Sequence, residues 1–283
     1  MPSLPDIATA DAAELAREAA SHNKGAHAPS PDADQDAFFE FLVRTGDTTL
    51  ILGHRDSEWC GHSPALEEDI ALANVALDLI GQTQMWLGLA AEVEGKGRSA
   101  DDLAYLRDAW DFRNLLLVER PNGDFGQTLM RHFLFDVYHL ELLKALTRSS
   151  DQRVADIAAK AVKEVAYHVE RTSDLVVRLG DGTDESHRRM QAALDALWPY
   201  VGEMFAVDEK DEAVAAAGIA PNPESLRAAW DDTVRHVLEE ATLAIPDGKF
   251  AHKGGRQGIH TEHLGYILAD MQFLQRAYPG ASW

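Results

Sequence analysis

The chain has 283 residues and is 46% hydrophobic, which is enough to bury the core of one large domain. Its 26 Lys and Arg residues are outnumbered by 47 Asp and Glu residues, and the formal net charge is −21 at pH 7. This charge excludes nucleic-acid phosphates or an anionic membrane surface as the main binding partner. The single cysteine, Cys60, excludes an internal disulfide and a paired-cysteine metal site, so we expect a cytoplasmic protein.

The elements follow one another as helices. Residues 1–35 are rich in Ala, Asp, Pro and Ser and have few large apolar side chains, which predicts a disordered tail. From residue 37 to residue 283 no alternating β-branched run is long enough for a sheet, so we predict a single all-α domain. Helices are expected near 37–56, 64–94, from 101, 124–149, 151–179, from 183 to a kink at Pro199, from 223 to 243, and 261–277.

The longest apolar stretch, residues 70–91, raises the question of a membrane span. It carries Asn74, Asp78 and Gln82, and its apolar positions recur with helical period. Those polar side chains would be costly in lipid, so a buried helix is the better interpretation and no transmembrane segment is expected.

The segment RHFLFDVYHLELL, residues 131–143, places an acid and a histidine three residues apart inside an apolar helix. Helical spacing puts Asp136 among Leu129, Phe133 and Leu140, all within about 60° of it, and His139 lies beside the same arc. Carboxylate-bridged di-iron proteins use this spacing twice, with one more carboxylate from each of two other helices. The segment is therefore half of such a site at most.

The other helices supply less. Glu68 shares a face with apolar residues of its helix, whereas Glu164 and His168, four apart, share a stripe with basic residues. Asp195 is followed three residues later by Trp198, where a second histidine ligand would be needed. Two interpretations stay open. A buried polar network without metal would use Glu68, Asp136, His139, Glu164, His168 and Asp195. A single metal could be held by Asp136, His139, Glu164 and His168.

The Gly-rich segment PDGKFAHKGGRQG, residues 246–258, is basic in an acidic chain. Lys253 and Arg256 could contact phosphate groups, but a solvated flexible loop is the more ordinary interpretation. His252, His260 and His263 lie close in sequence, yet no cysteine or acid is placed to complete a zinc site, so loop and capping roles are expected.

Four segments carry a resemblance that spacing rules do not provide. They are GHRDSEWCGHSPALEEDIALANVALDLIGQ, FRNLLLVERPNGDFGQTLMRHFLFDVYHLELL, KEVAYHVERTSDLVVRLGDGTDESHRRMQAALDALWPYVGEMF and EHLGYILADMQFLQRAYPGASW. These strings closely resemble the C subunits of bacterial phenylacetyl-CoA epoxidases, and the likeness extends from about residue 40 to the end.

This resemblance implies a ferritin-like bundle, with a four-helix core and flanking helices, that pairs with a homologous catalytic A subunit. It implies that the complex inserts one oxygen atom of dioxygen into the ring of phenylacetyl-CoA. The di-iron centre is expected in the A subunit, and the electrons are expected from a reductase with NADPH, flavin and iron-sulfur groups. The C subunit is structural in this family, so no catalytic residue and no metal are carried over to this chain.

Two functions are therefore weighed. The first is a non-catalytic subunit that binds the catalytic A subunit in phenylacetate catabolism, with Lys253 or Arg256 as a possible contact to the phosphates of coenzyme A. The second is an autonomous ferritin-like oxygenase or iron-binding protein that uses Asp136, His139, Glu164 and His168.

Overall fold

The structure, a computed structural model, describes residues 12–14, 17, 34–248 and 251–281, and in this part of the chain all regular structure is helical. Nine α-helices occur within residues 34–281: α1 Gln35–Ser57, α2 Leu66–Glu94, α3 Ala100–Tyr105, α4 Phe125–Leu146, α5 Gln152–Gly180, α6 Asp184–Leu197, α7 Glu209–Ala216, α8 Arg227–Glu240 and α9 Glu262–Ala277. The all-α prediction is confirmed. The tail predicted over residues 1–35 lies largely outside the described residues.

Side-chain caps determine where several helices begin. The Asp124 carboxylate accepts a hydrogen bond from the Gln127 amide at the start of α4, and Thr183 accepts one from the Ser186 amide at the start of α6. Both satisfy backbone donors that have no partner within the helix. At the other end, α2 stops at Gly95, whose φ of 68° is left-handed.

Two local features differ from the sequence-based expectation. The helix expected to bend at Pro199 instead ends at Leu197, and Trp198–Phe205 continues as a 3₁₀-helix. Proline has no amide hydrogen and its ring clashes with the preceding turn, so the α-helical pattern is lost there. The short helix α7 was not predicted, because its eight residues contain only Ala and Val as apolar side chains.

The chain forms two compact units. Among the described residues from 34 onwards, the central unit contains 122–248 with 251–252, and the hairpin unit contains 34–121 and 253–281. A single domain over residues 37–283 stays a prediction.

In the hairpin unit, α1 and α2 pack closely along their length. A Cβ atom added to Gly46 of α1 would lie 2.6 Å from Leu87 Cδ2 of α2, so only glycine permits this approach. One turn further on, the Thr49 and Thr83 hydroxyls are 2.8 Å apart and hydrogen bond inside the interface. Trp86 is fully buried. Within the described residues, no helix is long and apolar enough to cross a membrane.

In the central unit, the face of α4 that contains Asp136 lies in the core. Leu129, Phe133 and Leu140, which helical spacing placed around Asp136, are all buried, as predicted. Burying each such side chain contributes about 1.5–3 kcal/mol, so this face is held in place mainly by its apolar residues. The Trp230 indole of α8 donates to the Leu134 carbonyl at 2.9 Å and fastens α8 to α4.

Candidate functional site

The candidate site is a polar cluster in the central unit, formed by His132, Asp136 and His139 of α4 and His168 of α5. All four side chains are buried. The His132 Nδ1 atom lies 3.6 Å from an Asp136 carboxylate oxygen, one helical turn away. The charges of Asp136 and His168 both act on His139. The structure thus brings together three residues of the predicted network, Asp136, His139 and His168, with His132, which helical spacing also places on the inward face of α4.

Within the polar cluster, His139 has a strongly lowered pKa. Burial lowers the pKa of its imidazole to about 3, the nearby Asp136 carboxylate acts against this shift, and His168 adds to it. The ring is therefore neutral at neutral pH. It lies against the Phe135 ring with 5.0 Å between centroids. Neither His139 nitrogen and neither Asp136 oxygen makes a hydrogen bond to any described residue.

The remaining predicted members do not share this burial. Glu164 on α5 is half-buried, and Glu68, in the first turn of α2, belongs to the hairpin unit and is also half-buried. The prediction that Asp195 joins a buried network is wrong, because its side chain is exposed and accepts a hydrogen bond from Gln191 Nε2 at 2.9 Å. The position directly before it, Leu194, faces the core, so the helical turn of about 100° directs Asp195 towards solvent.

The position that would need a second histidine is filled by aromatic packing. Trp198 is half-buried, and its ring lies 5.9 Å from that of Trp230. Trp230 in turn meets Phe205 edge-on at 5.4 Å. These are favourable separations for aromatic pairs, and the indole offers no nitrogen lone pair to a metal.

A di-iron centre of the ferritin-like type does not fit these residues. Such a centre needs an acid and a histidine from each of two helices, whereas α6 supplies an exposed Asp195 and is followed directly by the packed Trp198. Among the residues that the structure describes, no three His, Cys, Asp or Glu side chains are grouped to hold a metal ion. The polar cluster thus places polar side chains in the core without completing a set of metal ligands among the described residues.

The solvated loop expected over residues 246–258 is found in part: residues 247–248, 251 and 253 are exposed, whereas residues 254–256 are buried. Arg256 is buried, whereas Lys253 is exposed. A Cβ atom on Gly255 would lie 2.3 Å from the Asn114 carbonyl oxygen, and Gly258, with φ +79°, lies equally close to the backbone of residue 110. Residues 254–258 are thus pressed against another segment of the hairpin unit, and this close contact explains their glycines.

Glu119, which sequence reasoning missed, holds this loop in place. It is fully buried, and its carboxylate accepts hydrogen bonds from the Thr261 amide at 2.7 Å and from Asn114 Nδ2 at 3.2 Å. His260 Nδ1 lies 3.0 Å from the same carboxylate. Arg55 of α1 donates to the Glu119 carbonyl at 2.9 Å. His260 is therefore a structural residue in the described part of the chain, as its expected loop role suggested.

Replacing Glu119 by Gln should lower the free energy of unfolding by about 2 to 3 kcal/mol, the usual loss when a buried charge-assisted hydrogen-bond network is broken. The Glu119 carboxylate has two acceptor oxygens, whereas the Gln side chain has one oxygen and one NH₂ group. The NH₂ group would therefore face one of the donors that the carboxylate now accepts from. Urea denaturation at neutral pH measures the loss. The matched control is Glu239→Gln on α8, where the side chain is exposed and a change below about 0.5 kcal/mol is expected. Equal effects of the two substitutions would contradict the assigned role.

Comparison with known proteins relates the chain to one family. The sequence model of the family described as "Phenylacetic acid catabolic protein" matches residues 22–283. A curated relative, the C subunit of the 1,2-phenylacetyl-CoA epoxidase of Escherichia coli (strain K12), is 47% identical over 243 residues, which cover 86% of this chain and 98% of the relative.

The match extends through both units and includes every helix described above. It also agrees with the resemblance seen in the four sequence segments, and the ferritin-like helical fold predicted from them is confirmed. The chain belongs to the phenylacetic acid catabolic protein family, a family of ferritin-like helical proteins.

Proposed function

We propose that the chain is a non-catalytic subunit of a phenylacetyl-CoA epoxidase complex in aerobic phenylacetate degradation, where it binds and supports a catalytic A subunit. The relative at 47% identity is named as the C subunit of that enzyme, and the match covers 98% of its length. The exposed Cys60 is compatible with a reducing cytoplasm, which is the expected compartment.

The observation that carries the non-catalytic role is the state of the ligand positions. Asp136 and His139 are enclosed in the core, Asp195 points to solvent, and Trp198 is packed against Trp230. A catalytic metal needs several ligands around one open position that the substrate can reach. The described residues supply a closed, incomplete set instead. In the proposed complex the di-iron centre belongs to the A subunit, and the NADPH, flavin and iron-sulfur groups belong to the reductase, as the family resemblance implies.

The test is reconstitution of activity from purified parts. The chain alone, loaded with ferrous iron and supplied with the reductase and NADPH, should not convert phenylacetyl-CoA. Mixed with the A subunit, it should co-elute in size-exclusion chromatography and give the epoxide at a steady rate. An Asp136→Asn variant that still folds should support the same rate. Turnover by the chain alone, or separate elution of the two proteins, would overturn the proposal.

A metal-binding oxygenase or iron-binding protein is the second candidate, and one observation favours it. The Asp136 carboxylate and the His139 ring are buried without a hydrogen bond to any described residue, as ligands of an ion would be. Elemental analysis of wild-type protein and of a His139→Leu variant separates the two functions. About one equivalent of iron in the wild type that is lost in the variant would favour the metal site. Equal trace amounts would favour the supporting role.

A contact to coenzyme A from the basic loop is proposed for Lys253 alone, because Arg256 is buried. Lys253→Ala should then raise the KM of the complete complex for phenylacetyl-CoA and leave kcat unchanged. An unchanged KM would remove this contact.

A further inference from the structure

The outer face of α2 carries a row of exposed apolar side chains, which we call the docking seam: Leu66, Ile70, Leu77 and, at its edge towards Gly53 of α1, Ile80. Their exposed fractions are 71%, 53%, 69% and 37%. With Ala73 between them, they are spaced alternately by four and three residues, which is the spacing of a helix that packs along another helix. An exposed apolar row of this length on a monomer marks a surface that binds a partner.

The opposite face of α2 is buried within the hairpin unit. Leu72, Val75 and Leu79 of α2 are buried in the hairpin unit. The helix is thus apolar on two sides, a pattern that is typical of helices covered on both. Beyond the seam, a Cβ atom at Gly81 or Gly88 would meet nothing within 4 Å, so the backbone of α2 can be approached closely there.

The acidic residues of α2 indicate the charge of the protein that binds the docking seam. Helix α2 contains neither Lys nor Arg, and four of its six acidic residues lie along the seam: Glu67, Glu68, Asp69 and Asp78. The other two, Glu92 and Glu94, lie beyond its end, and Glu94 pairs with Arg98. A second copy of this chain would bring two such acidic helices together, and the net charge of −21 on each copy would add to the repulsion. The fitting occupant is a helix of a different protein, with apolar residues at the same three-and-four spacing and with Lys or Arg on its flanks.

We propose that the docking seam binds a helix of a second protein with an apolar face and basic flanks. This inference rests on the proposed function in one respect, since it takes the catalytic A subunit to be that protein. The apolar seam provides the contact area, and the acidic residues beside it select for a basic partner and against a second copy.

The experiment measures binding of the purified A subunit to variants of the full chain. The triple variant Leu66→Ser, Ile70→Ser, Leu77→Ser should bind at least about 100-fold more weakly than the wild type, because the three most exposed apolar side chains of the seam are lost. The matched control is Tyr266→Ser, Phe273→Ser on α9 of the same unit, with exposed fractions of 71% and 63%, and it should bind within about threefold of the wild type. Circular dichroism and thermal unfolding confirm that these surface variants fold.

The salt dependence of binding tests whether the acidic residues of α2 contribute to it. Glu67, which is exposed at the start of the seam, is replaced by Lys. The A subunit should then bind several-fold more weakly at low ionic strength, and the difference from the wild type should shrink as salt is added. A difference that does not depend on salt would overturn the choice of a basic partner.

The outcomes separate the two proposals. If the wild-type chain and the triple variant bind the A subunit equally well, the docking seam is wrong and the proposed function stands. If the control variant alone loses binding, α9 is the interface and the inference is equally overturned. If the wild-type chain does not bind the A subunit, the proposed function fails. A concentration-dependent dimer of the wild type, absent in the triple variant by sedimentation, would make a second copy the occupant and overturn the inference.

Discussion

Acidification to about pH 4.5 should destabilise the wild-type chain by about 3 kcal/mol more than it destabilises a His139→Leu variant. In the folded chain, burial lowers the pKa of His139 from 6.5 to about 3. Between these values the unfolded chain binds a proton that the folded chain does not, so the free energy of unfolding rises with pH. The contribution of His139 is therefore fully present above pH 6.5 and is lost as the pH falls towards 3. Leucine removes the titrating group and keeps an apolar side chain of similar volume.

Chemical denaturation of both proteins at pH values from about 4.5 to 8 gives the two stability curves. Their difference, not either curve alone, reports on His139, because the carboxylates protonate in both proteins. His236→Leu is the control, since this side chain is exposed on α8. The control should follow the wild-type curve. Parallel curves for the wild type and His139→Leu would show that His139 is not held neutral by burial.

Much of the fold follows from local sequence signals. The amphipathic period and the capping residues Asp124 and Thr183 suffice to place most of the helix ends within a few residues of those observed. Helix α7 escapes this reasoning because its burial is limited to Asp211 and Val214. The available signal there is the capping box formed by Asp208 and Asp211, which does not depend on periodicity.

Some residues of the candidate site could likewise be predicted from the sequence, and others could not. Burial of Asp136 and His139 could be predicted, because the apolar neighbours that enclose them lie on their own helix. Asp195 could not be placed correctly by the same reasoning, since it sits beside the buried Leu194 on a helix with a narrower apolar face. Glu119 could not be found at all, because it bonds to His260, which lies 141 residues away in the sequence.

The sequence identifies the family of the chain more readily than it identifies whether the chain is catalytic. The four segments that carry the resemblance include Asp136 and His139, which are the residues of α4 that look most like metal ligands. The replacement of a second histidine by Trp198 can be read from the sequence, whereas the burial of the polar cluster and the exposure of Asp195 cannot. The burial and the exposure depend on how the helices pack, which the spacing of residues along one helix does not fix.

Replacing Asp47 by Ala should lower the free energy of unfolding by about 3 to 5 kcal/mol, the largest effect that we expect from a single substitution in this chain. Asp47 of α1 is buried, and Arg107 is its partner through two parallel hydrogen bonds, one of them 3.0 Å long from Nη1. The amide of Arg113 donates to the same carboxylate at 2.9 Å. Without Asp47, the buried Arg107 guanidinium would keep its charge and lose its counter-ion, because arginine does not deprotonate in proteins.

A double variant distinguishes the effect of losing the Asp47–Arg107 ion pair from the effect of leaving the Arg107 charge buried without a counter-ion. Asp47→Leu, Arg107→Met removes both charges and fills similar volume, so it should be markedly less destabilising than Asp47→Ala alone. Asp174→Ala, which breaks the exposed pair with Arg178, should change stability by no more than about 0.5 kcal/mol. A loss below about 1 kcal/mol for Asp47→Ala in urea titration would contradict the role assigned to the pair. The pair ties α1 to residues 107–113, the segment that the glycine-rich loop packs against, so its loss should also loosen that loop.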